Sequence, residues 1–377
     1  MGTAFVAIAD DPSAILHNPA GLTQLKSTNA YGGVTAVIPS TEYESPSGES
    51  EETRFQIFFP PHLYVSSDLA SEKIAVGLGI FSPFGIGGRD WSEKGPTRYV
   101  STENFIATIA VNPTLAWQIA PSLSVGVGTF YLHSFNTAKR MIDQSAFGAE
   151  DGKFSLDADG GGWGYNFGVL LKPSDSISMG LAYRSHVSAD QSGKVKLENI
   201  APALQPTFGG SKFETNVDTT VDFPESVSMG IAYSPIKRLT FALEAEYGNW
   251  SRFDEQELDL EDEVPAAGFT DTTIELDYRD AWIFKVGLDY ELSYWLSFRM
   301  GYTYIQSPVP ERTLSPANPD ADQHNFSIGC GCRIGKWVVD GFYNAGFFED
   351  RKVNNQILSG KYKNFAHMFG LSIGYGF

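Results

Sequence analysis

The chain has 377 residues, 14% of them aromatic, with a formal net charge of −18 and a mean hydropathy of −0.16. This acidic balance argues against nucleic acid as a partner, because phosphate binding needs clustered Lys and Arg. No run approaches the roughly 18 to 20 uninterrupted apolar residues of a membrane helix, which excludes a helical membrane protein; a membrane β-barrel, whose strands hide hydrophobicity by alternation, stays open.

The chain does not open on a basic region followed by an apolar core, so no signal peptide is read there, and the expectation is the mature form of an exported protein. Residues 1–26 show no alternation. They carry the strings Gly2-Thr3-Ala4, Ala7-Ile8-Ala9-Asp10-Asp11-Pro12-Ser13-Ala14 and Asn18-Pro19-Ala20-Gly21-Leu22.

From there the sequence reads as about fourteen strands, near 27–39, 55–68, 72–83, 103–119, 122–141, 162–173, 175–190, 223–235, 238–252, 274–291, 294–306, 323–334, 336–348 and 364–377. The third strand runs Ile74, Val76, Leu78, Ile80 against Ala75, Gly77, Gly79 and then breaks at Phe81-Ser82-Pro83-Phe84-Gly85. Pro83 cannot donate to a ladder and the glycines permit a bend; a plain strand end entering a loop fits equally well. Further along, Val227, Met229, Ile231 and Tyr233 alternate with Ser228, Gly230 and Ala232. Trp282, Phe284, Val286 and Leu288 likewise oppose Lys285, Gly287 and Asp289, so charge falls on the small face. Cys330 and Cys332, two apart on one strand, point the same way and read as small lipid-facing side chains.

The last strand places Phe365, Phe369, Leu371, Ile373, Tyr375 and Phe377 on one face and Ala366, Gly370, Ser372, Gly374 and Gly376 on the other. A bulky lipid face and a small crowded interior suit an outer-membrane strand. Connections alternate between short ones, assigned to the periplasm, and long ones, assigned to the outside, near 40–54, 84–102, 142–161, 191–222, 253–273, 307–322 and 349–363. The fold class is therefore all-β, a transmembrane antiparallel barrel of about 14 strands.

The Asp-Asp-Pro and Asn-Pro-Ala-Gly-Leu strings of the N-terminal segment, followed by this strand and loop layout, resemble the FadL family of outer-membrane transporters for long-chain fatty acids and, in relatives, aromatic hydrocarbons. The resemblance implies two parts: an N-terminal hatch over 1–26 that plugs the lumen, and a barrel over 27–377 with long extracellular loops. It implies a gate at Asn18, Pro19 and Ala20, where the residues alone would read as a turn. It also implies an inward kink of the third strand at Phe81, Pro83, Phe84 and Gly85 that opens the wall sideways. The expected location is the outer membrane of a Gram-negative bacterium. The expected partners are a hydrophobic small molecule and outer-membrane lipid with lipopolysaccharide, and the chain is expected to be a monomer.

A hydrophobic substrate gains roughly 0.8 kcal/mol per CH₂ on leaving water, so its route must stay apolar. Lumen candidates are Phe58, Tyr64, Phe81, Ile106 and Phe130, with Arg184, Lys285, Arg299 or Arg333 meeting a carboxylate head group or pairing with interior acids. In the long loops Phe147, Phe154, Leu197, Ile200, Leu204 and Phe208 offer capture contacts or a packed cap. No metal-ligand spacing, nucleophile elbow, phosphate loop or dinucleotide fingerprint occurs, so no cofactor and no catalytic residue are expected. A structural or adhesive barrel and, behind it, an outer-membrane lipase are the competing readings.

Overall fold

The computed structural model describes all 377 residues. Hydrogen-bonded runs join into one antiparallel sheet that closes on itself, and several succeed one another along the same stave, giving fourteen staves. In chain order these are β1 (Thr28–Glu44); β2 (Ser50–Glu52) with β3 (Pro61–Ser67); β4 (Ile74–Phe81) with β5 (Ile86–Asp90); β6 (Glu103–Ala120); β7 (Leu123–Ile142); β8 (Gly152–Ser174); and β9 (Ile177–Arg184) with β10 (Val187–Glu198). Then follow β11 (Lys212–Phe223) with β12 (Ser226–Ile236); β13 (Leu239–Gly248) with β14 (Glu255–Leu260); β15 (Thr272–Glu275) with β16 (Ala281–Ser293); β17 (Leu296–Ile305); β18 (Gln323–Ile334); β19 (Trp337–Phe348) with β20 (Arg351–Val353); and β21 (Gly360–Gly376). The ring closes where β21 pairs with β1, from Asn29↔Gly376 to Glu44↔Lys361. Closure matters because hydrocarbon offers no partner to an unpaired backbone group.

The lower part of the barrel presents its large side chains outward, as the alternation requires. On β21, Phe369, Leu371 and Ile373 are each about half exposed while Ser372 between them is buried. Connections at this end are tight, two residues each at 121–122, 175–176, 237–238, 294–295 and 335–336. Cys330 and Cys332 are free thiols on the outward face of β18.

Toward the other end the polarity of the alternation inverts. Leu156, Ala158, Val195, Val217, Leu258 and Leu260 are buried together inside, while Lys194, Lys196, Glu214 and Asp218 face out. This corrects the expected long loops at 142–161, 191–222 and 253–273. There β8 begins at Gly152, β10 and β11 pair from Val187↔Phe223 to Glu198↔Lys212, and β14 adds to β11. These segments alternate as strictly as the membrane part, but water replaces lipid outside, so the charged face turns outward and the apolar face inward. The connection at 40–54 is likewise shorter than expected, because β1 runs on to Glu44 and β2 pairs with it. In place of an unbroken strand over 55–68, residues 53–60 carry only an isolated bridge, Val37↔Phe58, before β3 begins.

The segment preceding β1 lies inside the ring. It contains the helical turn α1 (Ala14–His17) and a 3₁₀ turn, Pro19–Gln24, and its Ala9, Ala14, Ile15 and Leu22 share one buried cluster with Tyr64, Phe81, Phe130 and Leu132 of the wall. At the opposite end a second cluster, Tyr43, Trp91, Tyr278, Val309, Leu314, Val353 and Tyr362, ties the loops together, and the Trp91 indole donates to the Pro316 carbonyl at 2.9 Å.

Candidate functional site

The wall glycines explain how a coiled segment fits inside the ring. A Cβ at Gly168 would lie 2.1 Å from Asn18 Oδ1, one at Gly126 2.4 Å from Ala20 N, and one at Gly180 2.0 Å from Val6 O. A Cβ at Gly301 would lie 2.1 Å from Gly2 N, and one at Gly230 or Gly287 2.7 Å from Val6 or Met1. Gly126 pairs with Gly168, Gly180 with Gly230 and Gly287 with Gly301 across neighbouring strands, so these positions form a belt of removed side chains. The sequence shows only a small inward face; the belt emerges from the register.

Polar groups fix the segment on this belt. Asn18, fully buried, donates from Nδ2 to Val6 O at 2.8 Å and to Val169 O at 3.0 Å, and its Oδ1 accepts from Ala20 N at 3.2 Å. Pro19, the first residue of the 3₁₀ turn, has no N–H to leave unpaired there. Glu244 of β13 accepts the backbone N–H groups of Phe5 and Val6, each at 2.8 Å, and ion-pairs with Lys285 at 2.8 Å; Lys285 also meets Glu246 at 2.7 Å. Burial raises the Asp11 carboxyl to about 6, and burial together with the Lys285 charge lowers the His17 imidazole to about 3. Both shifts oppose charging these groups while the segment is in place.

Above the segment lies a cavity of about 1410 Å³. Its floor includes Leu16, His17 and Pro19; its mouth includes Phe154, Leu197, Ile200, Leu204 and Phe208; and one flank includes Pro83, Phe84 and Ile106. The mouth residues differ from expectation in placement: Phe154 and Leu197 stand on β8 and β10, and Phe208 closes the short helix α2 (Gln205–Phe208) rather than an open loop. Phe208, Phe213 and Phe269 form an edge-to-face triad with centroids 5.5 to 6.2 Å apart. Phe147, half exposed in a 3₁₀ turn, is not among the lining residues.

Tyr64, Phe81 and Phe130 are buried but back the N-terminal segment instead of facing the cavity, with Tyr64 stacked on Phe81 at 5.8 Å. Phe58 is buried against Phe105 at 6.0 Å, beside the wall. The four basic candidates separate. Lys285 lines the cavity with its charge met by Glu244 and Glu246, and Arg299 lies off it, held by Asp289 at 2.7 Å and Asp340 at 2.6 Å. Arg184 lines the cavity without a carboxylate partner; it donates from Nη2 to Leu16 O at 2.6 Å and sits over the faces of Phe81 and Phe130. Arg333 is exposed beside a tight turn. Residues that sequence reasoning missed are Leu16, His17 and Phe269, which carry no local signal.

The flank of the cavity coincides with a discontinuity in the wall. Pairing of β3 with β4 ends at Leu63↔Ile80, and after the turn at Ser82–Gly85, with Gly85 at φ +83°, β5 pairs with β6 alone. On its other side the single backbone–backbone bond runs from Arg54 N to Asp90 O, at 2.8 Å, beside side-chain bonds of Arg54 to Asp90 and of Arg89 to Thr41. Phe84 folds inward onto Phe223, ring centroids 4.6 Å apart.

The family profile described as "Outer membrane protein transport protein (OMPP1/FadL/TodX)" matches residues 1–377. Among relatives, the long-chain fatty acid transport protein of Escherichia coli O6:H1 is 24% identical over 86% of this chain and 78% of its own. Among solved structures, a Pseudomonas aeruginosa FadL homologue superposes with a TM-score of 0.87 at 20% identity, covering 99% of this chain and 96% of that one. The toluene transporter TodX of P. putida gives 0.80 at 16% identity, covering 97% and 94%. The full-length family match, the closed fourteen-stave barrel and its lipid-facing exterior place this chain in the outer membrane as a member of the OMPP1/FadL/TodX family, whose members transport hydrophobic compounds.

Proposed function

We propose that the protein takes up long-chain fatty acids or aromatic hydrocarbons passively. In this reading residues 1–26 act as a hatch gated at Asn18, Pro19 and Ala20, and the substrate leaves sideways into the bilayer past Phe81, Pro83, Phe84 and Gly85. The observation that supports it is the coincidence of the cavity flank at Pro83, Phe84 and Gly88 with the stretch of wall where β5 has no ladder partner on one side. Capture begins at Phe154, Leu197, Ile200, Leu204 and Phe208, and transfer inward keeps the acyl or aryl group on apolar surface, so no step demands its return to water. No covalent step is involved, and one barrel suffices, because the cavity is built within a single chain. Lipopolysaccharide and phospholipid are the surrounding solvent of the apolar band.

Excising Ser82–Gly85 tests the lateral exit. Removing four residues preserves the in/out alternation of period two, so β4 runs straight into β5 and the wall can ladder through. Uptake of oleate and of toluene into lipid vesicles should fall at least tenfold with the barrel intact. Unchanged uptake would contradict the sideways route.

A further inference from the structure

The inner wall changes character twice along three of its staves. On β7, β10 and β11 the inward residues Leu132, Ala189 and Val221 belong to the cluster that holds the N-terminal segment, while Ala138, Val195 and Val217 pack in the apolar cluster nearer the mouth. Between these two layers the inward positions are polar: Ser134 and Asn136 on β7, Gln191 on β10 and Thr219 on β11. One end of this row is satisfied. Thr219 Oγ1 donates to Glu257 O at 2.6 Å and accepts from Gln256 Nε2 at 3.1 Å.

The other end is not satisfied. The Asn136 carboxamide makes one hydrogen bond, from Nδ2 to Gln191 Oε1 at 2.7 Å. Gln191 Nε2 is buried without a partner, and so is Ser134 Oγ, in residues that are 2% and 0% exposed. Both residues stand in register with Gly160 of β8, which puts no side chain between them. A buried donor left this way forfeits its hydration with nothing in return, so such a group calls for a reason. Asn136 lines the cavity, in register with Ile106 on the flank, and Gln191 stands behind it. Two carboxamides joined by one bond instead of two keep one acceptor, Asn136 Oδ1, and one donor, Gln191 Nε2, in hand. Turning both amides over exchanges the roles and leaves the same count.

We propose that Asn136 and Gln191 form a neutral polar subsite in the flank of the cavity, which selects apolar molecules bearing a hydroxyl, alcohols or phenols, over hydrocarbons of the same shape. This rests on the uptake reading above and adds a preference within it. A single hydroxyl oxygen seated between the two amides accepts from Gln191 Nε2 and donates to Asn136 Oδ1. A methyl group in its place leaves both amide groups unpaired, and sites built to meet a ligand hydroxyl discriminate against the analogue that lacks it. A carboxylate has no proton for Asn136 Oδ1 and sets its charge against that oxygen. The apolar neighbours take the rest of the molecule: Ala138 and Val195 toward the mouth, and Phe84, Ile106 and Phe223 along the flank.

2-Naphthol and 2-methylnaphthalene carry a hydroxyl and a methyl at the same place on the same rings. Equilibrium dialysis of the full-length protein in lipid nanodiscs at neutral pH, with empty nanodiscs to subtract partition into lipid, gives the affinity for each. The unmodified protein should hold 2-naphthol about tenfold more tightly, as two net hydrogen bonds allow. Asn136→Leu should bring 2-naphthol down to the affinity of 2-methylnaphthalene, whose own affinity stays unchanged. Asn136→Leu combined with Gln191→Leu, which leaves neither amide alone, should do the same. Equal affinities in the unmodified protein, or a preference that survives in the double variant, overturns the subsite while leaving uptake standing. Loss of both ligands together in the double variant would assign the two amides to packing and overturn it as well. Failure of the unmodified protein to bind either ligand overturns both readings.

Discussion

At the residue scale, Asn18 shows how one side chain can hold a coiled segment in a lumen. It supplies two donors, to Val6 O and to the ladder carbonyl Val169 O, and one acceptor, to Ala20 N. Truncation in Asn18→Ala strands the carbonyl of Val6, and leaving a buried acceptor unpaired costs about 1–3 kcal/mol. Amide exchange in residues 5–9 and 18–22 should therefore rise roughly 5- to 150-fold, with exchange in β6 to β8 unchanged; equal protection in variant and parent would remove Asn18 from its role. Asn-Pro was legible in the sequence as a turn, and it opens the 3₁₀ turn Pro19–Gln24. That Arg184 would hold a carbonyl of α1, or that Glu244 would seat two amides, was not legible. Those contacts join positions more than 160 residues apart, and only the closed ring brings them together.

At the scale of elements, alternation told where strands lie in the membrane because lipid rewards one sign of it: bulky residues out, small ones in. Above the membrane the same period continues with the sign reversed. Val195 and Leu197 turn inward between Lys194, Lys196 and Glu198, and the resulting ladders of β10 and β11 were read as loop. A period-two pattern should be sought in both senses wherever a barrel strand leaves the bilayer. The glycine belt has its own consequence. A branched side chain in Gly168→Val cannot coexist with Asn18 Oδ1 at 2.1 Å from its Cβ, and both strands beside it keep their ladders. The barrel should still fold and insert while the N-terminal segment is displaced. Planar-bilayer recordings should then show ion conductance well above that of the parent protein; parental conductance would mean the segment seats itself without this glycine.

For the whole molecule, the proposed uptake needs a way out of the cavity, and two can be weighed. One passes Phe84 and Ile106 toward the discontinuous wall and the outward-facing Phe55 and Phe59, which are 76% and 57% exposed. The other would run along the barrel axis, past the N-terminal segment, to a polar recess at the tight-turn end lined by Asp10, Gln24, Gln118 and Lys172. An acyl chain entering that recess would trade apolar contacts for polar ones, at roughly 0.8 kcal/mol per CH₂ left without apolar cover. The proposed sideways route would carry no such penalty. Photolabelling separates them: hexadecanoate with a diazirine near its methyl end is taken up by the protein in vesicles, irradiated, and its adducts mapped by mass spectrometry. The account predicts adducts on Phe84 and Ile106 and on Phe55 or Phe59. Adducts on Gln24, Gln118 or Lys172 instead would contradict it.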